Sequence, residues 1–181
     1  MFSSVSDNII GIDISEEALR TARSRYNTPT FLKADAIELP FQNECFDAVV
    51  ALEVIEHVHN QEKFILEILR TLKEEGLLIF STPNKKNLVA RIASAFGIEV
   101  QKNPYHTREF DYKELIKFLK KFGLEIIKVL GIYLPLVLPI NRYIIELIHS
   151  FRIDKLVIYL GYSVPSLSRF TFVVCKKFVQ G

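Results

Sequence analysis

Cysteine is scarce: Cys45 and Cys175 are the two among 181 residues, they stand far apart, and neither belongs to a CxxC pair. A disulfide framework is therefore not expected, and a reducing cytoplasm is the default setting. An excess of one charge is missing too. The formal net charge is +2, and no basic run or zinc-finger spacing breaks the balance, so nucleic acid is not expected as a partner. Clean apolar runs are also absent. The nearest, VLGIYLPLVLPINRYIIELI (129–148), is interrupted by Pro135 and Pro139 and carries Asn141, Arg142 and Glu146, which makes a poor membrane span. MFSSVSDNII at the start lacks the basic and apolar regions of a secretory signal. Glycine is sparse, with seven in all and no GxG pair before Asp13.

What is present reads as one folded domain spanning 1–181. Hydrophobic residues make up 49% and charged residues 24%, enough for a real core. Residues 8–14 predict a short buried strand. Ser15 then caps a helix to about Tyr26, with Glu16 and Glu17 at its positive end. TFLKAD (30–35) predicts a second strand ending at Asp35, and FDAVVAL (46–52) a third, with β-branched Val49 and Val50 at its centre. A helix follows at about 61–73, closed by Gly76, and LLIFSTP (77–83) is a fourth strand. Strand and helix alternating at this interval predict an α/β fold with a parallel sheet and crossover helices.

Residues 85–97 look helical and 98–110 form a loop. DYKELIKFLKKFG (111–123) is amphipathic, with Asp111 as cap and a stripe of Leu115, Phe118, Leu119 and Phe122. LEIIKVLGIYL (124–134) is a fifth strand. An apolar helical insert is expected within about 132–165, and RFTFVVCKK (169–177) is a last strand antiparallel to the fifth.

Three acids stand in order at strand ends: Asp13, Asp35 and Glu53. In an open α/β sheet, ligands sit beyond the carboxyl ends of the strands, and an acid there can hold ribose hydroxyls. With LPF…FDAVVALEVIEHV and LKEEGLLIFSTPN, the pattern resembles the class I S-adenosylmethionine-dependent methyltransferases, close to the small-molecule branch that includes the ubiquinone-biosynthesis enzymes. NPYHTREF (103–110) and PSLSRFTFVVCKK also recur in that branch. The resemblance implies a Rossmann-like sheet with an antiparallel last strand and S-adenosylmethionine as cofactor. Asp13 would bind the ribose hydroxyls with Ile14 beside the adenine. Asp35 would accept from the adenine amino group, and the Ala36 N–H would meet a ring nitrogen. The backbone of Leu52 and Glu53 would line the methionine end. A strand-end Asp can equally cap the next turn, whereas Asp47, at the start of its strand, reads as structural.

Glu53, Glu56 and His57 form an ExxEH spacing, which on a helical turn shares one face. Two oxygens and an imidazole can hold a divalent cation, and some ubiquinone-pathway relatives are thought to use one at this motif. Packing or backbone hydrogen bonding of His57 is the preferred reading. His57 is also the candidate general base toward a phenolic acceptor. His106 with Arg108 suits an anion site or lid, or equally a structural turn. His59 and His149 carry no motif.

The family's first strand and glycine-rich loop have no counterpart before Asp13, so the sheet is expected to be incomplete at its N-terminal side. Methyl transfer to a small, phenolic or lipid-like acceptor is the leading expectation, with activity of this chain alone in doubt. A non-catalytic methyltransferase-fold remnant or interaction subunit is the alternative, and a nicotinamide-dependent half-domain ranks last. An open sheet edge invites self-association. The insert offers a pocket wall or a peripheral membrane contact, although core packing is the simpler role.

Overall fold

The computed structural model describes residues 8–27, 30–99, 103–132 and 165–178. Ten elements follow in order: β1 (Ile10–Asp13), α1 (Glu16–Arg25), β2 (Thr30–Lys33), β3 (Phe46–Leu52), α2 (Gln61–Thr71), β4 (Leu72–Pro83), α3 (Leu88–Ala95), α4 (Tyr112–Lys121), β5 (Leu124–Ile132) and β6 (Phe170–Lys177). The expected insert at 132–165 falls almost wholly outside the described residues. Among those described, no helix is long and apolar enough to cross a membrane.

The strands form two sheets. One pairs β1 with β2 in parallel, and the other runs β3-β4-β6-β5. β3 lies parallel to β4, while β6 is antiparallel to both β4 and β5. The last strand thus sits between β4 and β5, as well as pairing antiparallel with the fifth as expected. Among the described residues, β1 pairs only with β2 and β3 only with β4, so each keeps one open edge.

The helices form for local reasons. Ser15 Oγ accepts from Ala18 N at the start of α1. Asp111 and Glu114 form a capping box on α4, whose apolar stripe buries Leu115, Phe118 and Leu119. Phe64, Ile65 and Ile68 of α2 and Leu78 and Phe80 of β4 join that stripe in one core. Burying each such side chain contributes about 1.5–3 kcal/mol. Ala36 and Ile37, just after β2, pack on this core and tie the small sheet to the large one.

The junction after α2 departs from expectation. Gly76 does not end the helix: α2 stops at Thr71, and Leu72 already belongs to β4. Phe46 pairs with Leu72 but Ala48 pairs with Leu77, so residues 73–76 bulge from the ladder. Positive φ falls on Glu75 (62°), not on the glycine. Gly76 is needed for space, because a Cβ there would lie 2.8 Å from the Lys73 carbonyl oxygen.

Candidate functional site

Asp13 closes β1, and Asp35 follows β2 by two residues, so both stand at the carboxyl ends of paired parallel strands. Asp13 Oδ1 accepts from Ser15 N at 2.8 Å. Asp35 Oδ1 accepts from Ile37 N at 3.0 Å. Each bond pins its carboxylate at the mouth of the following turn. Among the described residues, the second oxygen of each has no hydrogen-bond partner. Ile14, beside Asp13, is 66% exposed, an unusually bare position for isoleucine.

At the end of β3 the chain turns sharply. Leu52 is exposed, and Glu53 adopts φ 55°, a left-handed conformation uncommon for a side chain of this size. Its N–H donates to the Ser81 carbonyl at 3.1 Å. Its carboxylate accepts from Ser81 Oγ at 2.6 Å. Burial raises the Glu53 pKa, the Ser81 hydrogen bond opposes that rise, and the nearby Glu56 carboxylate adds to it.

The ExxEH segment is not helical, which corrects the shared face expected of it. Residues 55–57 form a turn closed by His57 N donating to the Val54 carbonyl at 2.9 Å. Glu56 is buried, and its Oε2 accepts from Thr82 Oγ1 at 3.2 Å. Ser81 and Thr82 are consecutive in β4 and point to opposite sides of the strand. The Glu53 carboxylate lies near enough to feel the charges of Glu56, His57 and His106, but it is not among the side chains whose ligand atoms cluster with Glu56 and His57.

His106 takes that place. One ligand atom from each of Glu56, His57 and His106 lies within 4.8 Å of the others. The loop carrying His106 is stitched to the turn: Thr107 N and Oγ1 both donate to the Glu56 carbonyl, at 2.7 and 3.1 Å, and Oγ1 also reaches the Val58 carbonyl at 2.7 Å. His57 Nδ1 lies 3.2 Å from the Tyr105 carbonyl. A carbonyl only accepts, so Nδ1 carries the proton. Arg108 stacks on Phe110 at 4.6 Å.

Similarity to known proteins now bears on this arrangement. Residues 1–80 match the model of a methyltransferase domain. A probable S-adenosylmethionine-dependent methyltransferase of Mycobacterium tuberculosis is 35% identical over 133 residues, covering 74% of this chain and 46% of the relative. The chain belongs to the class I methyltransferase family. A ubiquinone biosynthesis O-methyltransferase of Rickettsia canadensis is 31% identical over 69% of this chain and 56% of its own length. The chain spans about half the length of the curated relatives it matches. A Thermotoga maritima methyltransferase structure, described as a possible histamine N-methyltransferase, superposes with TM-score 0.64 at 21% identity, over 92% of this chain and 72% of that one. A putative methyltransferase from Bacillus halodurans gives TM-score 0.68 at 17% identity, over 98% and 86%. These two share the methyltransferase fold, including its mixed α/β character and antiparallel last strand.

Within this methyltransferase fold, His106 and its partner Glu109 are the residues that sequence reasoning did not connect to the ExxEH motif. NPYHTREF was visible as a unit. Its attachment through Thr107 to a backbone carbonyl leaves no side-chain signature at the other end.

Proposed function

We propose that this chain binds S-adenosylmethionine and transfers its methyl group to a small-molecule acceptor. The observation that carries the reading is the pair of strand-end carboxylates, Asp13 and Asp35. Each has one oxygen pinned by a backbone amide and the other left for a ligand. Asp13 holds the ribose hydroxyls, with Ile14 against the adenine. Asp35 accepts from the adenine amino group, and the Ala36 N–H donates to a ring nitrogen. The backbone bend at Leu52 and Glu53 lines the methionine end.

S-adenosylmethionine supplies a methyl group on an already activated sulfonium. The chain then mainly has to orient the acceptor, and positioning alone lowers such a barrier by about 7–11 kcal/mol at best. His57 adds a proton acceptor: with Nδ1–H tied to the Tyr105 carbonyl, Nε2 is the basic nitrogen offered to a hydroxyl. An oxygen acceptor accords with the relative named as a ubiquinone biosynthesis O-methyltransferase.

A second reading, a methyltransferase-fold subunit without turnover, draws support from the open edges of β1 and β3. Titration calorimetry with S-adenosylhomocysteine separates the two. Saturable heat that Asp13→Asn weakens supports the catalytic reading. A folded sample that gives no heat favours the subunit.

A further inference from the structure

We propose that the cavity just beyond the end of β4 binds an oxyanion, a carboxylate or a phosphate, carried by the methyl acceptor. The proposal rests on the methyltransferase reading above and narrows it to an acid-bearing acceptor.

The cavity is built by the fold. β4 ends at Pro83, and Asn84, the next residue, is 1% exposed. Asn84 Nδ2 donates to the carbonyls of Ser166 at 3.2 Å and Ser168 at 3.1 Å, and its Oδ1 accepts from Lys86 N at 3.1 Å. Lys85 N donates to the Phe110 carbonyl at 3.0 Å, which draws the start of α4 alongside. These bonds bring Lys86, Arg91, Tyr112, Lys113 and Ser166 around a space of about 170 Å³. A whole ligand pocket takes about 300–1,000 Å³, so this one suits a single end group.

Its charge is unbalanced. Two carboxylates stand nearby, and each is taken by a lysine: Asp111 by Lys86 at 2.8 Å and Glu114 by Lys85 at 2.5 Å. Among the described residues, Arg91 and Lys113 have no carboxylate partner. The hydrogen bond to Asp111 raises the Lys86 pKa, whereas the charge of Arg91 opposes that rise, so the two cations feel each other. An anion in the cavity offsets that repulsion.

The guanidinium is also held in place. Arg91 Nε donates to the Lys86 carbonyl at 2.8 Å and Nη2 to the Ser166 carbonyl at 3.3 Å. Nη1 has no partner among the described residues. A planar donor group fixed in this way, with lysines beside it, is suited to recognising a carboxylate or a phosphate.

The position fits an acceptor. Ligands of open α/β sheets lie beyond the carboxyl ends of the strands. Ser81, which bonds Glu53 beside the proposed methionine end, precedes Asn84 by three residues. At about 3.3 Å per residue the two stand about 10 Å apart. That separation accommodates a small molecule with its nucleophile at one end and its acid group at the other. The anion then serves as a handle remote from the reacting atom, which is how binding energy is turned into orientation.

The full chain, without S-adenosylmethionine, is titrated at constant ionic strength with inorganic phosphate, with benzoate and with phenol as the uncharged control, and followed by ¹⁵N–¹H NMR. Saturable shifts of the Arg91, Tyr112 and Lys113 amides are expected with at least one anion and not with phenol. Binding of either anion supports the proposal, and the tighter of the two names the acid group. Arg91→Met and Lys113→Met should each weaken binding about 10–100-fold, the worth of a charged hydrogen bond. Lys113 makes no side-chain bond among the described residues, so its variant keeps the test valid if Arg91→Met fails to fold. Asp111→Asn should tighten binding by freeing Lys86, while Asn still caps α4. The proposal is overturned if neither anion gives saturable shifts, if folded Lys113→Met binds as well as the parent, or if phenol binds as well as benzoate. Because cofactor is left out, a negative result here leaves the methyltransferase reading standing. Failure to bind S-adenosylhomocysteine while these shifts persist removes that reading and leaves the anion site.

Discussion

Arg70 grips Glu67, three residues earlier on α2, with two parallel hydrogen bonds of 2.8 Å each. From that pose the same guanidinium reaches the carbonyls of Leu39 at 2.9 Å and Phe41 at 2.7 Å, and Asn43 Oδ1 at 3.0 Å. Glu67 in turn accepts from Leu39 N at 2.8 Å. One fork thus anchors the loop that follows Asp35. Lysine has the charge without the planar fork. Arg70→Lys is therefore expected to lower the thermal midpoint by a few degrees and to speed amide exchange across 39–45, as read by hydrogen-exchange mass spectrometry.

Acid should weaken the fold through the same latch. The Arg70 hydrogen bond holds Glu67 below its ordinary value near 4.5. Burial pushes Asp111 upward, but its Lys86 partner and the amides of α4 more than offset that and lower it on balance. A depressed folded-state pKa stabilises the ionised form. That contribution is whole above the unfolded value and drains away as pH falls through the folded one. Urea midpoints should hold from neutrality to about pH 5 and fall below it. Glu67→Gln should flatten part of that slope.

Asp13→Asn tests the ribose contact without disturbing the turn, since an Asn side-chain oxygen can still accept from Ser15 N. Loss of a charge-assisted hydrogen bond costs about 1.5–3 kcal/mol, or roughly 10–100-fold in affinity for S-adenosylhomocysteine. The melting temperature should barely move. An unchanged affinity removes Asp13 from the site.

Gly76→Ala should destabilise by about 1–3 kcal/mol, the usual cost of overpacking, because the new methyl meets a backbone carbonyl that cannot move aside. Gly123, with φ 74° and open space around its Cβ position, is the contrast. Gly123→Ala should cost about 1 kcal/mol through backbone strain alone. Chemical denaturation of the two variants compares crowding with conformation.

Where local rules govern, the sequence was legible. The Asp111–Glu114 box and the Leu115–Phe118–Leu119 stripe define α4 without reference to anything distant. β3 also spans Phe46–Leu52, the bounds its apolar pattern predicts. Gly76 misled because glycine after a helix usually supplies positive φ, whereas here it makes room and Glu75 takes the turn. Glu53, Glu56 and His57 misled because a three-then-four spacing implies a helical face only if the chain is helical there. A left-handed Glu53 breaks that premise. The approach of His106 depends on hydrogen bonds from Thr107 to two backbone carbonyls, which no sequence pattern at the receiving end can announce.

The placement of β6 bears on how the molecule is made. Among the described residues, β4 and β5 are joined only through β6, which pairs with both along nearly its whole length. A ribosome adds about 5–20 residues per second, so several seconds separate the emergence of β5 from that of the strand that unites the sheet. Through that interval β4 presents a bare hydrogen-bonding edge with Leu78 and Phe80 not yet sealed. The nascent chain is at its most vulnerable to chaperone capture or misassociation just before β6 arrives.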